Sequence, residues 1–268
     1  MNLLKLLGWE VERLTKPYLI LITLLVVTQF AWLGVFLWSE TNMYEEMRRA
    51  GTPDYTLTFG NYLGGTPFIL SIGVAVTAMV FFSFWIWYRD FQGRGTFMMR
   101  LLLMPQQRML VFGAKLVTMM LMILGLFSVQ WIALKLQYIA FSSWLDSQMI
   151  PMSGSFEQAI GYDGALSVMF PASLFNFFVH QVLIALAVLF IFAFVLIERS
   201  LWQRTVWAPF LALLMIGVVV VVPMIGFFII ENYLFMEETL AVFTLILVIW
   251  FIGVVWIGYR QLTKKLSV

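Results

Sequence analysis

Residues 206–230 read VWAPFLALLMIGVVVVVPMIGFFII, twenty-five positions without a charged side chain, an amide or a hydroxyl. A helix needs roughly 20 such residues to cross the hydrocarbon core of a bilayer. Five further stretches of the same kind lie at about 17–38, 67–88, 114–134, 174–197 and 239–259. Composition agrees, with 62% hydrophobic residues, 11% charged and a mean hydropathy of +0.95 over 268 residues. A soluble domain of that length could not hide so much apolar surface. The expected fold is an all-α polytopic membrane protein with six transmembrane helices, because lipid offers no partner to an unpaired backbone group. With no internal repeat and no low-complexity linker, one membrane domain is expected to fill residues 1–268.

Lys and Arg set the orientation. Six spans put both termini on one side. That side would carry thirteen cations: Lys5, Arg13 and Lys16; Arg89, Arg94, Arg100, Arg108 and Lys115; Arg199 and Arg204; Arg260, Lys264 and Lys265. The other side would carry three: Arg48, Arg49 and Lys135. Cations mark the cytoplasmic face, so both termini are expected inside a bacterial cytoplasmic membrane. The carboxylates run the opposite way, four inside and ten outside.

Composition removes several function classes. The chain has no cysteine, so it can form no disulfide, thiolate metal site or cysteine nucleophile. Its net charge of +2 gives no sign of a nucleic-acid partner, since the cations sit where topology already needs them. Residues 1–16 are too polar for a cleavable signal peptide, so the first span is expected to act as its own anchor. Within that segment Leu3, Leu4, Leu7, Val11 and Leu14 recur at spacings of three and four, with Trp9 suited to headgroups. The spacing predicts an amphipathic interfacial helix over 1–16. The outer loops, about 39–66 and 135–173, read as packed caps on the bundle or equally as simple connections.

Ionisable groups are scarce within the spans. Lys115, near an end of the third span, is expected to snorkel to the interface. His180 in the fourth span reads as a hydrogen-bonded packing residue. With one histidine and no paired carboxylate in the spans, neither a proton relay, a multi-ligand metal site nor a Ser–His–acid set is expected. No catalytic or metal-binding residue is assigned, and energy for transport would have to come from another polypeptide.

The segment between spans two and three is where that energy could enter. It reads RDFQGRGTFMMRLLLMPQQR over residues 89–108 and continues through Gly113-Ala114-Lys115. Gly93 and Gly95 interrupt the helix leaving the membrane, Thr96 can cap a new one, and Pro105 ends it. Phe97, Leu101 and Met104 would share a face flanked by Arg94, Arg100 and Arg108. A cytosolic groove with an acidic rim would take such a helix, and anionic lipid would hold it equally well.

The run from Gly95-Thr96-Phe97 through Leu101-Leu102-Leu103-Met104-Pro105 to Arg108, followed by Gly113-Ala114-Lys115, resembles a stretch of ABC-2 type ABC-transporter permeases. In that family a Gly-Thr opens a leucine-rich segment ending in Pro-x-x-Arg, and a Gly-x-Lys begins the next span. Gln106-Gln107 departs from it, where the family often has small or aliphatic residues. The resemblance implies a coupling helix within 89–113, with Thr96, Phe97, Arg100, Leu101, Met104, Pro105 and Arg108 docking a separate cytosolic ATPase. That subunit would bind ATP and magnesium, since this chain has no phosphate-binding glycine loop. It also implies a second permease chain, identical or paralogous, and a path between spans two and five. Span two offers Phe81, Phe82, Phe84 and Trp85, and span five offers Pro223, which can kink its helix. Such a path would suit an amphipathic peptide, an antimicrobial compound or a lipid, although in a chain that is 17% aromatic throughout these side chains read more readily as ordinary lipid-facing aromatics. The alternatives are a non-transporting sensor, scaffold or immunity protein and, further off, an intramembrane enzyme.

Overall fold

The computed structural model describes residues 3–51, 56–91, 108–162, 164–171, 173–202, 207–230, 233 and 235–262. Among these, nine helices follow one another: α1 (Leu3–Arg49), α2 (Phe59–Leu63), α3 (Thr66–Phe91), α4 (Arg108–Gln148), α5 (Phe156–Tyr162), α6 (Gly164–Met169), α7 (Leu174–Trp202), α8 (Ala208–Ile230) and α9 (Met236–Arg260). No strand is present among the described residues; one isolated bridge pairs Leu57 with Met152. Six helices, α1, α3, α4, α7, α8 and α9, are long and apolar enough to cross a membrane. The chain is a multi-pass helical membrane protein.

Four of the six end within a few residues of the expected spans, but α1 and α4 run much further. At 47 residues, α1 is about 70 Å long by the helical rise, more than twice a hydrocarbon core. No break separates residues 3–16 from the first span. Pro17 lies inside α1, where it removes one backbone donor without ending the helix. The buried positions of α1 form a single stripe: Leu6, Glu10, Leu14, Leu21, Leu25, Gln29, Leu33, Phe36 and Leu37. That stripe is not the apolar set read from the sequence, for Leu4 is 78% exposed and polar Glu10 faces inward. Polar side chains at helical spacing do not stop a helix, so α1 and α4 continue past their apolar stretches.

By packing, the chain divides into two compact units. One comprises 1–11, 80–119 and 183–268, the other 12–79 and 120–182. In the first, Trp87, Phe112 and Phe192 form an aromatic core with ring centroids 5.5–6.1 Å apart. Gly258 of α9 lies so close to Phe112 that a Cβ there would meet the ring at 3.0 Å.

In the second unit Phe59 is the hub. Its ring lies 5.3–5.4 Å from Tyr62, Tyr138 and Phe141. Leu57, Leu63, Phe68, Leu134 and Leu145 close around it. Thr58 caps α2, its hydroxyl accepting from the Asn61 amide at 3.2 Å. Leu57 donates to Pro151 O at 3.0 Å and accepts from Ser153 N at 2.9 Å, tying the two interhelical segments together. These bonds satisfy part of the backbone of the two segments, whose side chains Leu57, Phe59, Leu63, Phe156 and Ile160 join the packed core.

Candidate functional site

The last turns of α3 place Ile86, Asp90 and Arg89 beside the first turns of α1 and α4. Lys115 of α4 is fully buried and does not snorkel, which corrects the sequence expectation. Its Nζ lies 2.5 Å from Asp90 Oδ2, 2.8 Å from Glu10 Oε1 and 2.8 Å from the Ile86 carbonyl oxygen. An ammonium has three N–H donors, and here each finds an acceptor. The other oxygen of Glu10 accepts from Arg89 Nη2 at 3.1 Å. Trp87 adds its ring face, 5.2 Å from Nζ.

The four charges sum to zero; Asp90 is as deeply buried as Lys115, and Glu10 is buried as well. Taking such ions out of water is costly and is offset only when partners are complete and well placed. That condition explains why Lys115 turns inward: three acceptors within one pocket outweigh the wet interface its stem could have reached.

A second polar contact grips the same end of α3. The Tyr88 hydroxyl donates to Glu198 of α7, and the Arg199 guanidinium stacks 4.7 Å over the Tyr88 ring and 5.6 Å from Phe91. The end of α3 is thus held by charged side chains of α1, α4 and α7. Both roots of segment 92–107, Asp90 before it and Lys115 after it, meet in one ion pair.

The expected docking residues Thr96, Phe97, Arg100, Leu101, Met104 and Pro105 lie outside the described residues. Arg108 is the first residue of α4. The four aromatics of the expected path do not share one surface. Phe81 and Trp85 are exposed and adjacent, 5.6 Å between centroids. Phe82 is buried, and Phe84 packs edge-on against Phe194 of α7 at 5.8 Å. Pro223 sits within α8, which stays helical through it.

Sequence reading missed two polar groups. One is the ion cluster itself. Glu10 falls on the same helical stripe as Leu6 and Leu14, which was the available signal. The other is a buried glutamine network between α1 and α4 in the second unit. Gln29 and Gln130 pair amide to amide, both bonds 3.2 Å, and Gln137 Nε2 donates to Gln29 Oε1 at 3.2 Å. Gln29 Nε2 also donates to Ser71 at 3.1 Å, and the Tyr62 hydroxyl to the Gln29 carbonyl at 3.0 Å. His180 was expected to be hydrogen-bonded, yet its Nδ1 is buried with no hydrogen-bond partner among the described residues. No group of three or more metal-ligating side chains occurs among the described residues.

Compared with known proteins, the chain matches no family model, no curated protein and no solved structure.

Proposed function

We propose that this chain is the membrane-spanning permease subunit of an ATP-driven exporter of the ABC-2 type. It would reside in a bacterial cytoplasmic membrane with both termini inside and move an amphipathic peptide, an antimicrobial compound or a lipid-like molecule. ATP hydrolysis belongs to a separate cytosolic subunit that docks on residues 96–108, and a second permease chain completes the assembly. The observation that carries the reading is the ion pair between Asp90 and Lys115, which closes the base of that segment.

A segment that transmits a push must be rooted firmly at both ends, or the work dissipates in bending its stems. Here the roots are bonded to each other and, through Glu10, to the N-terminal helix. A force on 92–107 therefore reaches α1, α3 and α4 together. Packed elements of this kind shift between discrete arrangements rather than deforming smoothly, as alternating access requires. The apolar faces of α8 suit a neighbouring chain or lipid: Phe210, Leu213, Val218 and Ile225 are each more than half exposed.

The test is reconstitution. Vesicles holding this chain with its co-purifying ATPase should accumulate cargo on addition of ATP. Changing Arg100→Glu with Leu101→Glu should abolish both transport and cargo-stimulated hydrolysis. Undiminished coupled hydrolysis in that variant would refute the docking assignment.

A further inference from the structure

A groove of about 990 Å³ runs along the second unit, between one face of α4 and the first two turns of α7, under a roof made by α5 and Phe170. Its α4 wall is built from positions three and four apart, including Phe127 and Trp131, as one helix face requires. The rings interlock: Trp131 lies 5.1 Å from Phe170 and 5.5 Å from Phe156, and Phe127 lies 6.1 Å from Phe170. This volume falls in the range of ligand pockets, roughly 300–1,000 Å³, which are mainly apolar with a few polar groups to orient the occupant.

His180 lies in the wall, with its Nδ1 buried and no hydrogen-bond partner for it among the described residues. Two charged groups supply that orientation. At Phe156 stand two opposite charges. Lys135, one turn beyond Trp131, holds its ammonium 3.6 Å from the Phe156 ring centroid, and exposed Glu157 is the next residue along α5. Neither forms an ion pair among the described residues.

An apolar slot on a membrane-crossing helix, ending beside one cation and one carboxylate, matches an amphiphile with a hydrocarbon tail and a head of both signs. We propose that the groove is a binding site for one zwitterionic glycerophospholipid. An acyl chain lies along Phe127 and Trp131. The phosphate faces Lys135 and the ammonium faces Glu157. A singly charged head would satisfy one of the two residues and be repelled by the other. The proposal needs only a chain embedded in a membrane and stands apart from any ATPase.

Native mass spectrometry of the full chain in mild detergent tests it, using phosphatidylethanolamine and phosphatidylglycerol with identical acyl chains. The wild-type chain should retain one phosphatidylethanolamine with several-fold preference. Glu157→Lys, a change at an exposed position, should reverse the preference toward phosphatidylglycerol. Ser128→Phe, which fills the α4 wall, should lose both lipids; Lys135→Gln, which removes the phosphate contact the two lipids share, should weaken both and keep the preference. Equal retention of the two lipids by the wild-type chain would overturn the proposal, as would a preference unchanged in Glu157→Lys. Because the readout is lipid retention and not hydrolysis or transport, either result leaves the transport reading untouched.

Discussion

Lys115 Nζ and Asp90 Oδ2 lie 2.5 Å apart in the dry interior of the protein, although 25 positions separate them along the chain. Between them run the arginine-rich residues 92–107. The pair is a clasp at the base of that segment, and Glu10 joins α1 to it.

Removing the cation should be far worse than removing the pair. Lys115→Met removes the cation that Asp90 and Glu10 share, and breaking such a buried group typically costs about 3–5 kcal/mol. The double variant Lys115→Met with Asp90→Leu should lose less than the sum of its single changes, with a coupling of about 0.5–3 kcal/mol. Denaturant unfolding in detergent measures all four corners of the cycle. Strictly additive losses would mean the clasp contributes nothing as a unit.

The glutamine network predicts the same asymmetry without charge. Gln29→Leu leaves the Gln130 and Gln137 amides buried and unmatched, at about 1–3 kcal/mol for each stranded group. Replacing all three by leucine removes donors and acceptors together and should restore most of the loss. Thermal melting of the single and triple variants decides between these outcomes; a triple variant weaker than Gln29→Leu would contradict the account.

How much of this was legible in the sequence differs between elements. The six apolar stretches stand out because hydrophobic length is a local property, and α3, α7, α8 and α9 end close to the expected positions. The far ends of α1 and α4 were hidden. There the helix continues on polar residues such as Glu45, Glu46 and Asp146, which propensity tolerates and hydropathy does not register. The ion cluster was invisible for another reason. Glu10, Asp90 and Lys115 belong to three helices, and only packing brings them together. Searching the spans for ionisable groups also passed over Gln29, Gln130 and Gln137, whose amides carry no charge yet fill the same buried role.

Gly125 is required by a close approach. A Cβ there would stand 2.6 Å from the Tyr18 hydroxyl, which donates to the Met122 carbonyl at 2.8 Å. Gly125→Ala should push the ring away and cost about 1–3 kcal/mol, the usual range for overpacking. Adding Tyr18→Phe to that variant should recover part of the loss, since the clashing oxygen is gone. Unfolding curves showing no interaction between the two changes would argue against the contact.

Alkali should weaken the second unit through Tyr62. Burial raises this phenol above its ordinary value of 10.0. The folded state therefore holds the proton more tightly than the unfolded chain does. The resulting stability is full below pH 10.0 and falls as pH rises beyond it, toward the higher folded value. Tyr62→Phe should flatten that part of the stability profile, at a cost of about 0.5–1.5 kcal/mol at neutral pH for the bond to Gln29. An unchanged alkaline slope would assign the loss to other groups.

The central claim is that segment 92–107, clasped at its base by Asp90 and Lys115, is the place where a cytosolic ATPase engages this chain. Purification of the chain from its native membrane in mild detergent, with quantitation of the ATPase that accompanies it, tests this most directly. The account predicts a stoichiometric ATPase for the wild-type chain and its loss on changing Arg100→Glu with Leu101→Glu while the six-helix protein remains folded. A chain that purifies alone, or an ATPase retained undiminished by that variant, would contradict it.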